Sequence, residues 1–380
     1  MLRAIRQVWM RRIDDTSAID AVLRSPAFRD RAVLEKALST RFFAPFLHQE
    51  VVTGARFEAR ARWSRAALAN IPLDRVTRAG QTACDAAIAP GMVESLLDVV
   101  RETVARATCE LVLGERGDPD LVARAVADID RGIKMVGRAS MPLRHELGRM
   151  LERELAEPDG WSGITYLTSA REEASALPLE ERVDHVASVF LATGTIQVSD
   201  VVTHALIALA QHPETATAGD EAVLHETIRA YPVNSSITRV ASDTVTVAGL
   251  GFSRGEPVTV VPERLAAASG FDPSRTDGAG HWAFGTGPRA CPARRVALAL
   301  AHVILGRYRA AGVRIEPGYP HKRSLALPVR ATIGEGPAPA PTGHFKRLGG
   351  LARYVATSIE SYPAAFVIGW PELLRALRDG

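Results

Sequence analysis

The stretch Leu179–Gln211 is the longest helical pattern in the chain, and His212-Pro213 ends it. A mainly helical body is expected around it. Asp14–Ser25 and Ala32–Ala37 read as short helices, and Arg56–Asn70 as an Arg- and Ala-rich one. Met92–Leu113 reads as a long amphipathic helix, followed by a turn at Gly114–Pro119. Leu121–Val136, Leu143–Leu155 and Asp220–Ala230 continue the pattern, the last stopped by Tyr231-Pro232. The texture then changes. Ile237–Val240, Thr244–Val247 and Pro257–Val261 are β-branched and punctuated by Gly, so they predict strands. Arg295–Ala311 returns to helix and Ser324–Thr332 to strand. GEGPAPAPTG at Gly334–Gly343 has the composition of a linker. In the tail beyond it, Leu348, Leu351, Val355 and Ile359 fall on one helical face. The expected organisation is a body over 1–334, a linker over 335–344 and a helical tail over 345–380.

Composition narrows the class. With 380 residues, 47% hydrophobic and 23% charged, the chain can build one large core or two ordinary ones. The net charge is only +3, but residues 1–75 hold thirteen Arg and one Lys against eight acids, a local excess of +6. That excess suits an acidic partner, anionic ligand groups or a solvated Arg-rich surface better than a nucleic acid, which needs a more concentrated basic field. Cys84, Cys109 and Cys291 form neither a disulfide framework nor a zinc-like pair, and a reducing cytoplasm fits. MLRAIRQVWMRR lacks the apolar stretch of a secretory signal, and no run is expected to span a membrane.

Cys291 sits in HWAFGTGPRACPARR. Gly285 and Gly287 permit tight, positive-φ backbone, Arg289 lies two residues before the sulfur, and Pro292 is placed to open a helix. A sulfur at a helix start with cations near favours the thiolate, either a nucleophile or a soft metal ligand. Haem ligation needs a thiolate plus cations for two propionates, and the chain offers arginines.

Phe284-Gly285-Thr286-Gly287-Pro288-Arg289-Ala290-Cys291 resembles the haem-binding signature of the cytochromes P450, and His281-Trp282-Ala283 resembles its usual lead-in. Glu226-Thr227-Ile228-Arg229 is similar to the family's E-x-x-R, with Pro232 at the expected spacing, and Thr238-Arg239 to its next block. The resemblance covers about residues 10–334. It implies a mainly α fold with a small β region, shortened at the N-terminus and extended at the C-terminus. It implies haem b (iron protoporphyrin IX) bound through Cys291, shielded by Phe284. Arg239, Arg289 and Arg60 are the propionate candidates, with Arg56 where the family's helix carries a His. Gly285 and His281 complete the expected cofactor-binding residues.

The pattern also breaks. Pro292 has no N–H to give the sulfur, so the resemblance implies one donor lost and a more basic thiolate. In Leu191–Val198, Thr193 and Gly194 take the small-residue places of the oxygen-groove motif, Ile196 the acid place and Gln197 the alcohol place. Ile relays no proton and Gln is no acid. Thr193 or Thr195 substitutes if the helix register is shifted, and ordinary helix residues without a proton role are the alternative. The third partner of the E-x-x-R pair is expected to be deleted, because Leu265–Ser269 runs straight into Gly270-Phe271-Asp272-Pro273 and Pro262-Glu263-Arg264 reads as strand.

The resemblance therefore implies an oxidoreductase, of monooxygenase type, acting on a small organic substrate in secondary metabolism. The alternatives are haem-thiolate chemistry without the usual O2 activation (peroxide use, oxidative coupling, rearrangement) or a non-catalytic haem- or ligand-binding derivative. A ferredoxin-type donor is expected to dock on Arg289, Arg294, Arg295 and the Arg56–Arg65 helix. The tail is expected to fold back, to bind a carrier protein or to dimerise.

Overall fold

A computed structural model of the chain describes residues 11–31, 33–134, 139–233, 237–260, 270–275, 281–319, 321, 325, 328–342 and 349. Strand β1 (Arg11–Ile13) leads into α1 (Thr16–Arg24), where the Asp15 carboxylate accepts the Ala18 N–H at 2.9 Å and caps the helix. Helices α2 (Val33–Phe43), α3 (Gly54–Ala69) and α4 (Leu73–Ala87) follow. The long helix expected from Met92 begins later. Gly91–Val93 is strand β2, and the Ser95 hydroxyl caps α5 (Leu96–Leu113) by accepting the Asp98 N–H at 3.3 Å. Asp118 caps α6 (Pro119–Ile133), accepting from Asp120 and Leu121, with Pro119 in the first turn. Then come α7 (Met141–Leu155), the short α8 (Tyr166–Ser169) and α9 (Arg171–Ser175), and the long α10 (Leu179–Gln211). Past α11 (Asp220–Ala230) lie strands β3 (Ile237–Val240), β4 (Val245–Val247), β5 (Leu250–Phe252) and β6 (Pro257–Val260). Helix α12 (Arg294–Ala311) ends on Gly312 at φ +76, before strands β7 (Val313–Ile315) and β8 (Ala331–Ile333).

Helix α10 organises the body. It is α-helical to His185, widens into a π-helix over Val186–Thr193 and is α-helical again from Gly194. By length and composition it could cross a membrane, contrary to the expectation that no run comes close. It is mostly buried, packed on α5, α11 and α12, as a core helix is. Helix α4 went unread in the sequence because Gly80 interrupts it. Its inner face is small (Ala79, Gly80, Ala83), and α12 approaches so closely that a Cβ on Gly80 would lie 3.1–3.2 Å from Val303 and Leu300.

Strand β6 is the centre of a sheet ordered β1-β6-β3, parallel to β1 and antiparallel to β3. With α1 and β5 this sheet encloses a small core of Ile13, Ile19, Val22, Phe28, Phe252 and Val258. Each such side chain contributes about 1.5–3 kcal/mol on full burial. A second sheet, β2-β8-β7, closes against the large helical core. Of the expected strand Ser324–Thr332, the described part is strand only from Ala331. The linker does not hang free. Thr342 donates from its amide (3.1 Å) and its hydroxyl (2.5 Å) to the buried Glu316 carboxylate. The helical tail expected over 345–380, Gly349 apart, lies outside the described residues, as does 261–269.

Candidate active site

The loop before α12 is shaped by two glycines. Gly285 and Gly287 have φ of +65° and +69°. A Cβ on Gly287 would strike the Leu23 carbonyl at the end of α1, so the loop can seat there only with glycine. The turn brings the Cys291 N–H onto the Phe284 carbonyl at 2.7 Å. Helix α12 starts at Arg294 rather than next to the sulfur, with Ala293 as its N-cap. Burial pushes the Cys291 thiol up, and hydrogen bonds from the Ala293 and Arg294 amides to the sulfur pull it partly back. One finding thus differs from the sequence reading. Pro292 still offers the sulfur no N–H, but burial outweighs the helix start, so the free thiol keeps its proton more tightly than usual.

The arginine next to the sulfur turns elsewhere. The Arg289 guanidinium lies 3.9 Å over the Phe57 ring, 3.6 Å from Glu50 and 3.8 Å from Asp30, and its Nε donates to the Arg29 carbonyl. Its Nη1 and Nη2 are buried without a hydrogen-bond acceptor among the described residues. Arg56 and Arg60 of α3 are both bound by Glu181 of α10. Arg60, fully buried, also lies 3.4 Å from Asp184 and donates to the Leu47 carbonyl at 2.6 Å. Arg239, at 2% exposure on β3, donates to the Thr238 carbonyl at 2.8 Å. Arg294 stacks 5.7 Å from the Phe284 ring, and Arg295 caps the end of α3 through the carbonyls of Leu68, Ala69 and Ile71. The backbone of His281 lies in a 3-10 turn with Phe284; nothing is described of its side chain.

Glu226 and Arg229 form a buried two-fold ion pair at 2.7 and 2.6 Å. The third partner expected to be deleted is present. Arg275 stands 3.9 Å from Glu226, while the Asp272 N–H donates to Glu226 and Arg229 donates to the Gly270 carbonyl, both at 2.8 Å. The segment after residue 269 thus carries an Arg five residues further on, and the sequence signal, Phe271-Asp272-Pro273-Ser274-Arg275, was there to be read.

On α10, Val189, Thr193, Gly194, Gln197 and Val201 are half-exposed, while Thr195, Ile196 and Val198 are buried. Spacing by three or four places the first set on one face. Ile196, in the acid place, belongs to the large core, and Gln197 lies on the open face beside Thr193. Thr193 Oγ1 donates to the Ser188 carbonyl at 2.7 Å, five residues back across the π-turn, and lies 3.1 Å from His48 Nε2. Sequence reasoning missed His48, a single histidine with no motif around it. Burial pulls it down to about 4 against Glu50, with Arg60, Arg31 and Arg289 reinforcing burial. Between α3 and α10, His185 Nε2 meets Ser64 Oγ at 2.7 Å.

The residues present fit a haem in two respects. The amides of Ala293 and Arg294 would favour a thiolate, and two buried guanidinium nitrogens of Arg289, ion-paired at 3.6 and 3.8 Å with Glu50 and Asp30, have no hydrogen-bond acceptor among the described residues.

No protein-family model matches the chain, and no curated protein matches it. Solved structures do. Mycobacterium smegmatis CYP164A2 aligns with a TM-score of 0.63 at 20% identity, over 85% of this chain and 90% of that one. Cytochrome P450 MoxA from Nonomuraea recticatena aligns with a TM-score of 0.66 at 17% identity, over 86% and 90%. HmtN, described as a post-tailoring hydroxylase involved in himastatin biosynthesis, aligns with a TM-score of 0.62 at 16% identity, over 85% and 90%.

Proposed function

Since the chain has the cytochrome P450 fold, we propose that it is a haem-thiolate oxidoreductase that oxidises a small organic substrate through Cys291-bound haem b. The observation that carries this reading is the loop that seats one sulfur. The Cys291 N–H is held on the Phe284 carbonyl at 2.7 Å, in a loop that only glycine can build at 287. When bound, haem supplies a redox-active iron whose thiolate ligand favours O–O cleavage. The chain's own residues do the rest. Phe284 ties the loop through its carbonyl, and Arg289 and Arg239 are the cations for the propionates. Arg56 and Arg60 bind Glu181 and Asp184 instead, so their part is to brace α3 on α10. Monooxygenation is the first reading, and a biosynthetic substrate is extended to this chain from HmtN.

The burial of Ile196 favours a second reading. With no acid there, peroxide use, coupling or rearrangement needs nothing the chain lacks. The two separate in one assay. Turnover with ferredoxin and NADPH supports the first, turnover only with peroxide the second, and ligand binding with neither supports a non-catalytic derivative. The reading as a whole is tested by haem titration of the wild type and of Cys291→Ser. One haem per chain is expected for the wild type, with a changed Soret band in the variant; identical spectra would remove Cys291 as the ligand.

A further inference from the structure

This inference rests on the reading above and concerns what replaces the missing acid. We propose that Thr193 is the hydroxyl that serves the reaction centre in this chain, and that His48 is the positioning residue that orients it. Two independent hydrogen bonds fix the tautomer of His48. Its Nδ1 accepts the Glu50 N–H at 3.1 Å, so in the neutral ring the proton must be on Nε2. Thr193 has a single hydroxyl proton and gives it to the Ser188 carbonyl at 2.7 Å, so its oxygen can only accept at the 3.1 Å contact with Nε2. The chain of bonds therefore runs one way, from His48 Nε2–H to Thr193 Oγ1 and from Thr193 O–H onward. A donor on Oγ1 strengthens its O–H as a donor. Gln197 shares the open face of α10, but among the described residues no such donor fixes it there.

The imidazole is held from every side. It stacks on Phe43 at 4.2 Å, and Arg60 fixes the preceding Leu47 carbonyl. Arg31 and Arg289 hold Glu50, two residues on. The charged and titratable groups facing it are Glu50, Arg60, Arg31, Arg289 and His185; burial and the three arginines keep it neutral against the pull of Glu50. Arg60 and Arg289, both read from sequence as propionate ligands, thus also position the loop that carries His48. No proton leaves the pair. Thr193 turns its O–H from the Ser188 carbonyl to an acceptor on the open face and keeps its proton.

Two measurements test this. Imidazole nitrogen NMR of the full chain should show His48 neutral at neutral pH with its proton on Nε2, and Thr193→Val should shift that signal. A charged ring, or a proton on Nδ1, overturns the proposal with or without haem. In the haem-loaded, reduced protein with carbon monoxide bound, Thr193→Val and His48→Phe should each raise the CO stretching frequency. The double variant should add nothing further, and His48→Gln, which keeps an N–H, should stay close to the wild-type frequency. Additive shifts, or a shift with Gln197→Ala and none with Thr193→Val, reject the pairing. If the chain takes up no haem, the functional reading falls and takes the catalytic half of this proposal with it, while the NMR result still decides whether the pair exists.

Discussion

Cys291, His48 and Gly287 each behave as their surroundings dictate rather than as their residue type does. His48 is neutral in the fold, pulled to about 4 chiefly by burial, while the unfolded chain protonates near 6.5. The unfolded state therefore binds more protons between those values. Stability from this group is complete above about pH 6.5 and is lost as the pH falls toward about 4, with a slope of up to about 1.4 kcal/mol per pH unit. His185 is pushed in the same direction. Thermal midpoints measured between pH 7 and pH 4 should fall, and His48→Gln should flatten the fall; an unchanged slope in the variant contradicts the assignment. Gly287→Ala meets both a positive φ and the Leu23 carbonyl, whereas Gly285→Ala meets only the φ and a 3.4 Å contact with the Arg289 carbonyl. The first should cost more than about 1 kcal/mol and more than the second, as read by urea denaturation.

At the scale of elements, the Glu226–Arg229 pair of α11 shows how a buried ion pair is tied to its surroundings. Among the described residues, Arg229→Met would leave the buried Glu226 carboxylate with Arg275, at 3.9 Å, as its remaining cation and the Asp272 N–H as a donor. A loss of about 3–5 kcal/mol is expected, with part of it recovered in the Glu226→Met/Arg229→Met double variant. Equal losses in the two would refute the coupling. The elements were largely legible in the sequence. Composition and periodicity gave α1, α3, α5 to α7, α10, α11 and α12, and β-branched runs gave β3, β4 and β6. Helix α4 was lost because Gly80 interrupts it. The pairings of β1 with β6 and of β2 with β8 join segments distant in sequence. The glycine loop and the E-x-x-R pair were legible because their chemistry is local. Arg275 was legible too, in Phe271–Arg275, though it was not read there. The bonds of Arg56, Arg60 and Arg289 and the contact of His48 with Thr193 were not, because each joins elements far apart in the chain.

For the whole molecule, the Arg-rich first 75 residues are the plainest case. Part of their charge is paired within the protein rather than left to solvent. Arg31 meets Glu50 within the segment, and Arg56, Arg60 and Arg75 reach Glu181, Asp184 and Glu110 elsewhere in the body. Arg62, Arg65 and Arg294 remain exposed. If an acidic ferredoxin docks on this side, charge reversal at Arg62 and Arg294 should slow reduction several-fold at low salt and much less at high salt. Equal rates in variant and wild type at low salt would place the docking surface elsewhere. The central claim is that the sulfur of residue 291 binds iron, and the reduced carbon monoxide difference spectrum of the full chain tests it most directly. The account predicts the red-shifted Soret band of thiolate ligation in the wild type and its loss in Cys291→Ser. A wild-type spectrum of the histidine-ligated kind, or the red-shifted band persisting in the serine variant, would contradict it.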